Sequence, residues 1–334
     1  MKVLFDHPIP FLLSHGGCRG QIQQTKAALE KLGVEVDYLR WWEDSQPADV
    51  IHYFGRPSVL YVQHAQGKHY KVVMADLLGA LGARTKPARM MQKTVKLAAQ
   101  SLVSETLTVR LHWECFRIVD ACVALTTWEA QLMREMFDAP AARVHCVPNG
   151  VESVFLDSQP AARGRWLVCT ATITSIKRTL ELAEAAAAAR TPVWIIGRPF
   201  AESDPYAVRF TQFVRKHPEF VRYEGAVSDR GKLAKIYREA RGFVLLSALE
   251  SLSLSALEAA ACECPLLLSN LPWARCTFGT KATYCPVGTK AGTAAALRRF
   301  YDEAPSLPLP PRPLSWLEVG ERLRKLYRSL GKGG

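Results

Sequence analysis

A chain of 334 residues, 49% apolar and 22% charged, exceeds what one hydrophobic core usually organises, and two domains of about 150 residues each are the natural expectation. Nine cysteines, an odd number with no Cys-x-x-Cys pair and no zinc-finger spacing to histidine, argue against a disulfide scaffold or a structural zinc and for reduced thiols in a cytosolic protein. The formal net charge of +12 is uneven: residues 1–155 carry 17 Lys/Arg against 15 Asp/Glu and residues 156–334 carry 26 against 16, so the second half suits a phosphate-bearing partner, whether a nucleotide diphosphate, an anionic membrane or nucleic acid.

The first apolar segment, Lys2–Phe5, reads as a strand. Asp6, His7 and Pro8 interrupt it too early for a secretory signal, and no later run reaches the roughly 18 apolar residues of a membrane span, so a cytoplasmic location is expected. Ser14-His15-Gly16-Gly17-Cys18-Arg19-Gly20 reads as a glycine-rich loop, followed by a helix over Gln21–Leu32 that Gly33 ends. Val34–Leu39, Asp49–Phe54, Val59–Gln63 and Lys71–Met74 read as strands, and Ala121–Thr126 and Arg143–Val147 close the sheet after a long helical region. His52, His64 and His69 fall near strand ends, where hydroxyls of a ligand are commonly met, although a single histidine in such a place is more often structural. Arg84, Lys86, Arg89, Lys93 and Lys96 alternate with Met90, Met91, Val95 and Leu97. This pattern allows a peripheral contact with the inner face of a membrane, while a helix with one wet face is the commoner explanation.

Pro148-Asn149-Gly150-Val151 and Asp157-Ser158-Gln159-Pro160 are polar, turn-forming clusters, and a domain boundary is expected between them: residues 1–155 in a first Rossmann-like domain and 156–310 in a second. The second half repeats the pattern, with strands expected at Trp166–Thr170, Val193–Ile196, Val221–Tyr223, Phe243–Leu246, Pro265–Ser269 and Ala282–Cys285. Helices are expected at Arg178–Arg190, Lys232–Glu239, Leu254–Cys262 and Thr289–Glu303. The proline-rich stretch Ser306–Pro313 cannot continue a helix, and residues 311–334 hold a final amphipathic helix whose Leu317, Val319, Leu323, Leu326 and Tyr327 are spaced to bury one face.

The richest stretch runs from Gly242 to Ala261. An apolar strand leads through a serine-punctuated turn into a helix of Leu, Ala and Glu, with Glu250 at the strand's carboxyl end and Glu258 on the helix. Ligands of open α/β sheets bind in that crevice, where a helix N-terminus offers unpaired N–H groups to an anion. Lys177 and Arg178 follow the first strand of the second half, and Arg198 follows the next one.

This strand, serine-rich turn and paired glutamates resemble the retaining glycosyltransferases of family 4, which carry a Glu-x7-Glu signature at this point. The resemblance extends through Pro148–Val151, Lys177, Tyr237, Ala261–Pro265 and Trp316–Tyr327, and implies the GT-B fold: an α/β protein of two Rossmann-like domains facing across a cleft, with a C-terminal helix crossing back to the first. It implies transfer of a sugar from a nucleotide-diphosphate sugar to an acceptor hydroxyl with retention of anomeric configuration. Glu250 would meet the donor sugar and Glu258 the ribose. Lys177, with Arg178 or Arg198, would neutralise the diphosphate, and Ser251, Leu252, Ser253 and Leu254 would present N–H groups to phosphate and sugar. Gly16 and Gly17 match the family's paired glycines, which let the backbone approach the donor or acceptor. His64 and Asp76 are the acceptor-side candidates.

The family uses no metal, no Asp-x-Asp motif stands out, and no cofactor is implied beyond the sugar nucleotide itself. The acceptor expected is a glycan or a lipid-linked one, and nucleic acid is not expected. Three departures stand out: Ser253 replaces the usual small glycine of the turn, Thr172 stands where the family has an arginine, and Ala75-Asp76 where it often has a histidine. Two other readings share the same pocket, a sugar-nucleotide epimerase and a non-catalytic protein that binds a nucleotide sugar or nucleic acid.

Overall fold

The computed structural model describes residues 1–10, 17–102, 112–157, 161–286 and 288–331. The chain divides into two compact units, Met1–Asn149 together with Trp316–Gly334, and Gly150–Ser315. Each is built on one six-stranded sheet in which every pairing is parallel.

In the first unit the strands are β1 (Lys2–Asp6), β2 (Glu35–Tyr38), β3 (Val50–Phe54), β4 (Lys71–Ala75), β5 (Ala121–Ala124) and β6 (Val144–Cys146), in the order β2-β1-β3-β4-β5-β6. Parallel neighbours need crossovers, and these are α1 (Gly17–Lys31), α2 (Val59–Gly67), α3 (Lys86–Leu102) and α4 (Thr127–Phe137). Two expectations are corrected here. Val59–Gln63 is not a strand but the start of α2, because Ser58 caps it by accepting the Tyr61 N–H at 3.1 Å and the chain must cross back between β3 and β4. The first helix opens at Gly17, four residues earlier than Gln21, so Gly17 belongs to α1 and not to the loop before it.

On one face of the first unit's sheet the core is Leu4, Ile51, Val72 and Met74 packed on Leu132, Met133 and Phe116. Lys96, expected on a wet basic face, is buried instead: its ammonium donates to the Met136 carbonyl and pairs with Asp138, both at 2.8 Å. Met90, Met91 and Val95 of the same helix are exposed.

The second unit holds β7 (Leu167–Thr170), β8 (Val193–Ile196), β9 (Val221–Tyr223), β10 (Gly242–Leu245), β11 (Leu266–Ser269) and β12 (Thr283–Cys285). Its crossovers are α5 (Thr179–Ala188), α6 (Pro205–Lys216), α7 (Arg230–Glu239), α8 (Leu254–Ala261) and α9 (Pro272–Phe278), and α10 (Lys290–Glu303) follows the last strand. The order β12-β11-β10-β7-β8-β9 places the unit's first strand in the middle, with the chain winding one way through β8 and β9 and the other way through β10 to β12. The point of reversal lies between β7 and β10. Gly197, just past β8, has φ +154°, and a Cβ there would stand 1.8 Å from the Ala171 carbonyl oxygen. Only glycine lets the β8 end pass that close to the segment following β7.

The last helix, α11 (Trp316–Gly331), belongs to the first unit and buries Trp316, Val319, Leu323, Leu326 and Tyr327. Gly320 allows the close approach to α1, since a Cβ there would meet Leu32 and Ala28 at 3.0 and 3.1 Å. Tyr327 reaches His52 in β3, hydroxyl to Nδ1 at 2.5 Å. Among the described residues no helix is long and apolar enough to cross a membrane.

Candidate functional site

Ligands of an open parallel sheet bind at the carboxyl ends of the strands where the winding reverses, because the loops there part to opposite faces and leave a crevice. In the second unit that position is flanked by the segments leaving β7 and β10. Lys177 lies on the first and Glu250 on the second, 73 residues apart in sequence, and their side chains form an ion pair. The two segments are also joined through the backbone, the Ala248 N–H donating to the Ile176 carbonyl at 2.7 Å. Ser247 donates its hydroxyl to Glu250 at 2.9 Å. Residues spaced too far apart for any local rule are thus fixed by the strand order.

Lys177 closes a turn in which its N–H donates to the Thr174 carbonyl at 3.1 Å. Arg178 then takes the left-handed conformation, φ +53°, as the N-cap of α5, and its side chain is half-buried. Beyond Glu250, Ser253 caps α8 by accepting the Ala256 N–H at 3.3 Å, and the helix opens a few residues past the carboxyl end of β10. Leu252 and Ser253 are buried and Ser251 and Leu254 half-buried, so the Ser251–Leu254 turn is a packed element and not a loose loop.

Glu258, one helical turn deeper, is buried and accepts hydrogen bonds from Arg230 and, at 3.3 Å, from the Tyr237 hydroxyl. Arg230 also donates to Glu152 at 2.7 Å and stacks its guanidinium over Phe155 at 4.7 Å. Tyr237 continues the chain of hydrogen bonds to Thr170 at the end of β7. Burial lifts the Glu258 carboxyl above its usual range against the pull of Arg230, and the two carboxylates raise the Arg230 guanidinium. The second unit therefore carries two carboxylate–cation pairs, one on each acid of the Glu-x7-Glu spacing. The sequence pattern does not mark Arg230, Glu152 or Ser247 as site residues; the local signal is Arg230 at the first position of a helix that Asp229 caps.

The remaining expected residues are more dispersed. Arg198 is exposed, and what its position contributes is its carbonyl, which accepts the Ile173 N–H at 3.2 Å. In the first unit Gly17 starts α1, while Gly16 lies outside the described residues. His64 is an exposed residue in the last turn of α2. Asp76, beyond β4, is held by Arg56 at 2.7 and 2.9 Å, with the guanidinium over the rings of Phe137 and Phe116. Burial raises its carboxyl, offset by that arginine. His52 is fully buried and stacked on Phe54, and the loss of water lowers its imidazole to about 3, so the ring is neutral.

Residues 164–303, nearly the whole second unit, match the family model described as Glycosyl transferases group 1. Solved structures resemble the chain over its full length. The fold is GT-B. A sucrose-phosphate synthase from Thermosynechococcus elongatus is 17% identical, with a TM-score of 0.71 over 100% of this chain and 99% of its own. A glycosyltransferase from Rickettsia africae is 13% identical, with a TM-score of 0.65 over 99% of each chain. Anabaena HepE, solved in complex with UDP and glucose, is 13% identical, with a TM-score of 0.65 over 98% of this chain and 100% of its own. No curated protein sequence matches the chain.

Proposed function

We propose that this GT-B protein is a retaining glycosyltransferase that moves a hexose from a nucleotide-diphosphate sugar to an acceptor hydroxyl. The observation that carries the reading is the pairing of Lys177 with Glu250 at the point where the second sheet reverses its winding. The family match over 164–303 supports it, as does the binding of UDP and glucose by a protein of the same fold.

In this reading the donor diphosphate enters between Lys177 and the N-terminus of α8, exchanging a protein carboxylate for phosphate oxygens as the partner of the ammonium. Glu250, released from Lys177 and still held by Ser247, then accepts hydrogen bonds from the sugar hydroxyls. Glu258, kept in place by Arg230 and Tyr237, binds the ribose. The bond from the anomeric carbon to the diphosphate oxygen breaks as charge builds on the leaving group, where Lys177 and the helix N–H groups stabilise it. The acceptor oxygen bonds to the anomeric carbon on the same face, and its proton passes to the departing diphosphate.

Arg230 of α7 brings a second cation into the site, paired with Glu258. We place the activity in the cytoplasm, with the exposed Met90, Met91 and Val95 of α3 as the surface for a peripheral contact with the membrane's inner face. The test is incubation with UDP-, GDP- and ADP-sugars followed by NMR of the product's anomeric proton. Transfer with the donor's configuration kept supports the proposal; inversion, or an altered sugar released without acceptor, overturns it.

A further inference from the structure

A cavity of about 150 Å³ opens at the carboxyl ends of β1 and β2 in the first unit, lined by Asp6, His7, Ile9, Ile22, Tyr38 and Leu39 among others. That volume matches a single six-membered ring, the size of the apolar cavity that takes up benzene. Its walls are mixed. Ile9, Ile22, Leu39 and the Tyr38 ring give it apolar sides, while Asp6 and His7 give one polar edge.

The polar edge is prearranged. Asp6 accepts the Tyr61 hydroxyl at 2.7 Å on one oxygen and the His7 N–H at 2.8 Å on the other. Each oxygen keeps a further lone pair for a donor. The His7 ring is pinned by the Ile9 backbone, with Nδ1 at 2.7 Å from its carbonyl oxygen, and by the Cys18 sulfur at 3.6 Å from Nε2.

Directly after β2 the chain turns and exposes two tryptophans, Trp41 at 86% and Trp42 at 72%, with ring centres 6.0 Å apart. Exposed indoles on a loose loop would mean little, but this turn is braced. Gln46, which is buried, accepts the Arg40 N–H at 2.9 Å and donates to the Tyr38 carbonyl at 2.9 Å and to Asp37 at 3.2 Å. Arg40 also pairs with Glu43 at 2.7 Å and Asp37 at 3.3 Å. The backbone of the turn is therefore held in place, and it carries the aromatic pair on the same strand end whose Tyr38 and Leu39 line the cavity, which lowers the cost of ordering the turn on binding.

We propose that this cavity seats one pyranose ring of a neutral glycan acceptor, with Trp41 and Trp42 as the platform for the adjoining sugar. The inference rests on the glycosyl-transfer reading and names its acceptor class. A pyranose has a C–H face that packs on apolar and aromatic walls and a rim of hydroxyls that donate to a carboxylate, which is the division of walls found here. Tryptophans also anchor proteins to bilayers, but anchoring segments carry basic residues beside them. Here Asp37, Glu43 and Asp44 surround Arg40, and of the cations near Tyr38, Arg19 and Lys26, the second is paired with Glu30, so the neighbourhood offers an anionic surface no excess of positive charge.

The experiment titrates the intact protein, by saturation-transfer NMR, with the methyl α- and β-pyranosides of glucose, galactose and mannose and with maltose, cellobiose and lactose. Sedimentation with phosphatidylcholine/phosphatidylglycerol vesicles runs in parallel. Binding of at least one disaccharide is expected, weakened about three- to tenfold by Trp41→Ala/Trp42→Ala, while Asp6→Asn weakens that disaccharide and its monosaccharide alike. Because the tryptophans are exposed, the double variant keeps its fold, and circular dichroism checks it. The proposal is overturned if no saccharide of the panel binds, if the double substitution leaves saccharide binding unchanged, or if it abolishes vesicle sedimentation instead. Thermal shift of the wild-type protein by UDP, GDP and ADP is measured alongside. A nucleotide shift without saccharide binding sinks only the acceptor site, whereas the absence of any nucleotide shift sinks the donor reading itself.

Discussion

The two sheets end in the same kind of edge, yet the chemistry at the two edges differs. In the second unit, charged side chains from four separate segments converge beside the reversal point, Glu152, Lys177, Arg230 with Glu250 and Glu258. In the first unit the acids at the strand ends are satisfied one by one: Asp6 by Tyr61 and the His7 N–H, Asp76 by Arg56. The first arrangement suits a large anion common to many donors. The second suits local recognition of hydroxyls, and the difference shows that a shared strand pattern does not set the chemistry at its edge.

The comparison can be broken most sharply at the second edge. Lys177→Ala or Glu250→Ala should lower kcat/KM for sugar transfer by about 100- to 1000-fold, in steady-state assays with the donor found by screening. A loss below tenfold in both would remove the ion pair from the chemistry. Gly197→Ala should act on the fold itself: the new Cβ has no space beside the Ala171 carbonyl, and a loss of about 2–4 kcal/mol in urea unfolding is expected.

How much of this was legible in the sequence follows the same division. The strand–turn–helix from Gly242 to Ala261 declares itself, because an apolar run, a serine cap and an Ala/Leu/Glu helix all agree. The ion pairs do not, since Arg230 meets Glu152 and Glu258 only after α7 and α8 have packed on the sheet. Val59–Gln63 reads as a strand by its valines and tyrosine, yet crossover geometry and the Ser58 cap decide for helix. Helix α6 is absent from the expected helices although Asp204 as cap and Pro205 in the first turn announce it. Lys96 reads as wet because lysine usually is, and only the fold reveals Asp138 and the Met136 carbonyl waiting for it.

Smaller effects sharpen the contrast. Arg230→Ala should cost about 1–3 kcal/mol, because Glu258 stays buried without its main cation while Arg230 itself is partly exposed. Urea titration measures the stability, and the KM for the donor should rise with it. The first unit has its own pH signature. The His52 imidazole is lowered to about 3 in the fold against 6.5 in the unfolded chain, so its contribution is complete above pH 6.5 and is lost as pH falls toward 3. Stability at pH 5 should be about 2 kcal/mol below that at pH 8 from this group, and His52→Phe should flatten that part of the profile. The smallest effect is expected for Asp76→Asn, which leaves donor turnover within about threefold of wild type, because Arg56 already neutralises that carboxylate.

The central claim, that the reversal point of the second sheet holds a nucleotide diphosphate, is tested most directly by calorimetric titration with UDP, GDP and ADP. Wild type is compared with Lys177→Ala and with the exposed control Lys235→Ala. The account predicts that at least one nucleotide binds wild type and the control alike and binds Lys177→Ala at least about tenfold more weakly. Equal affinity for all three proteins, or no binding by any, would contradict it.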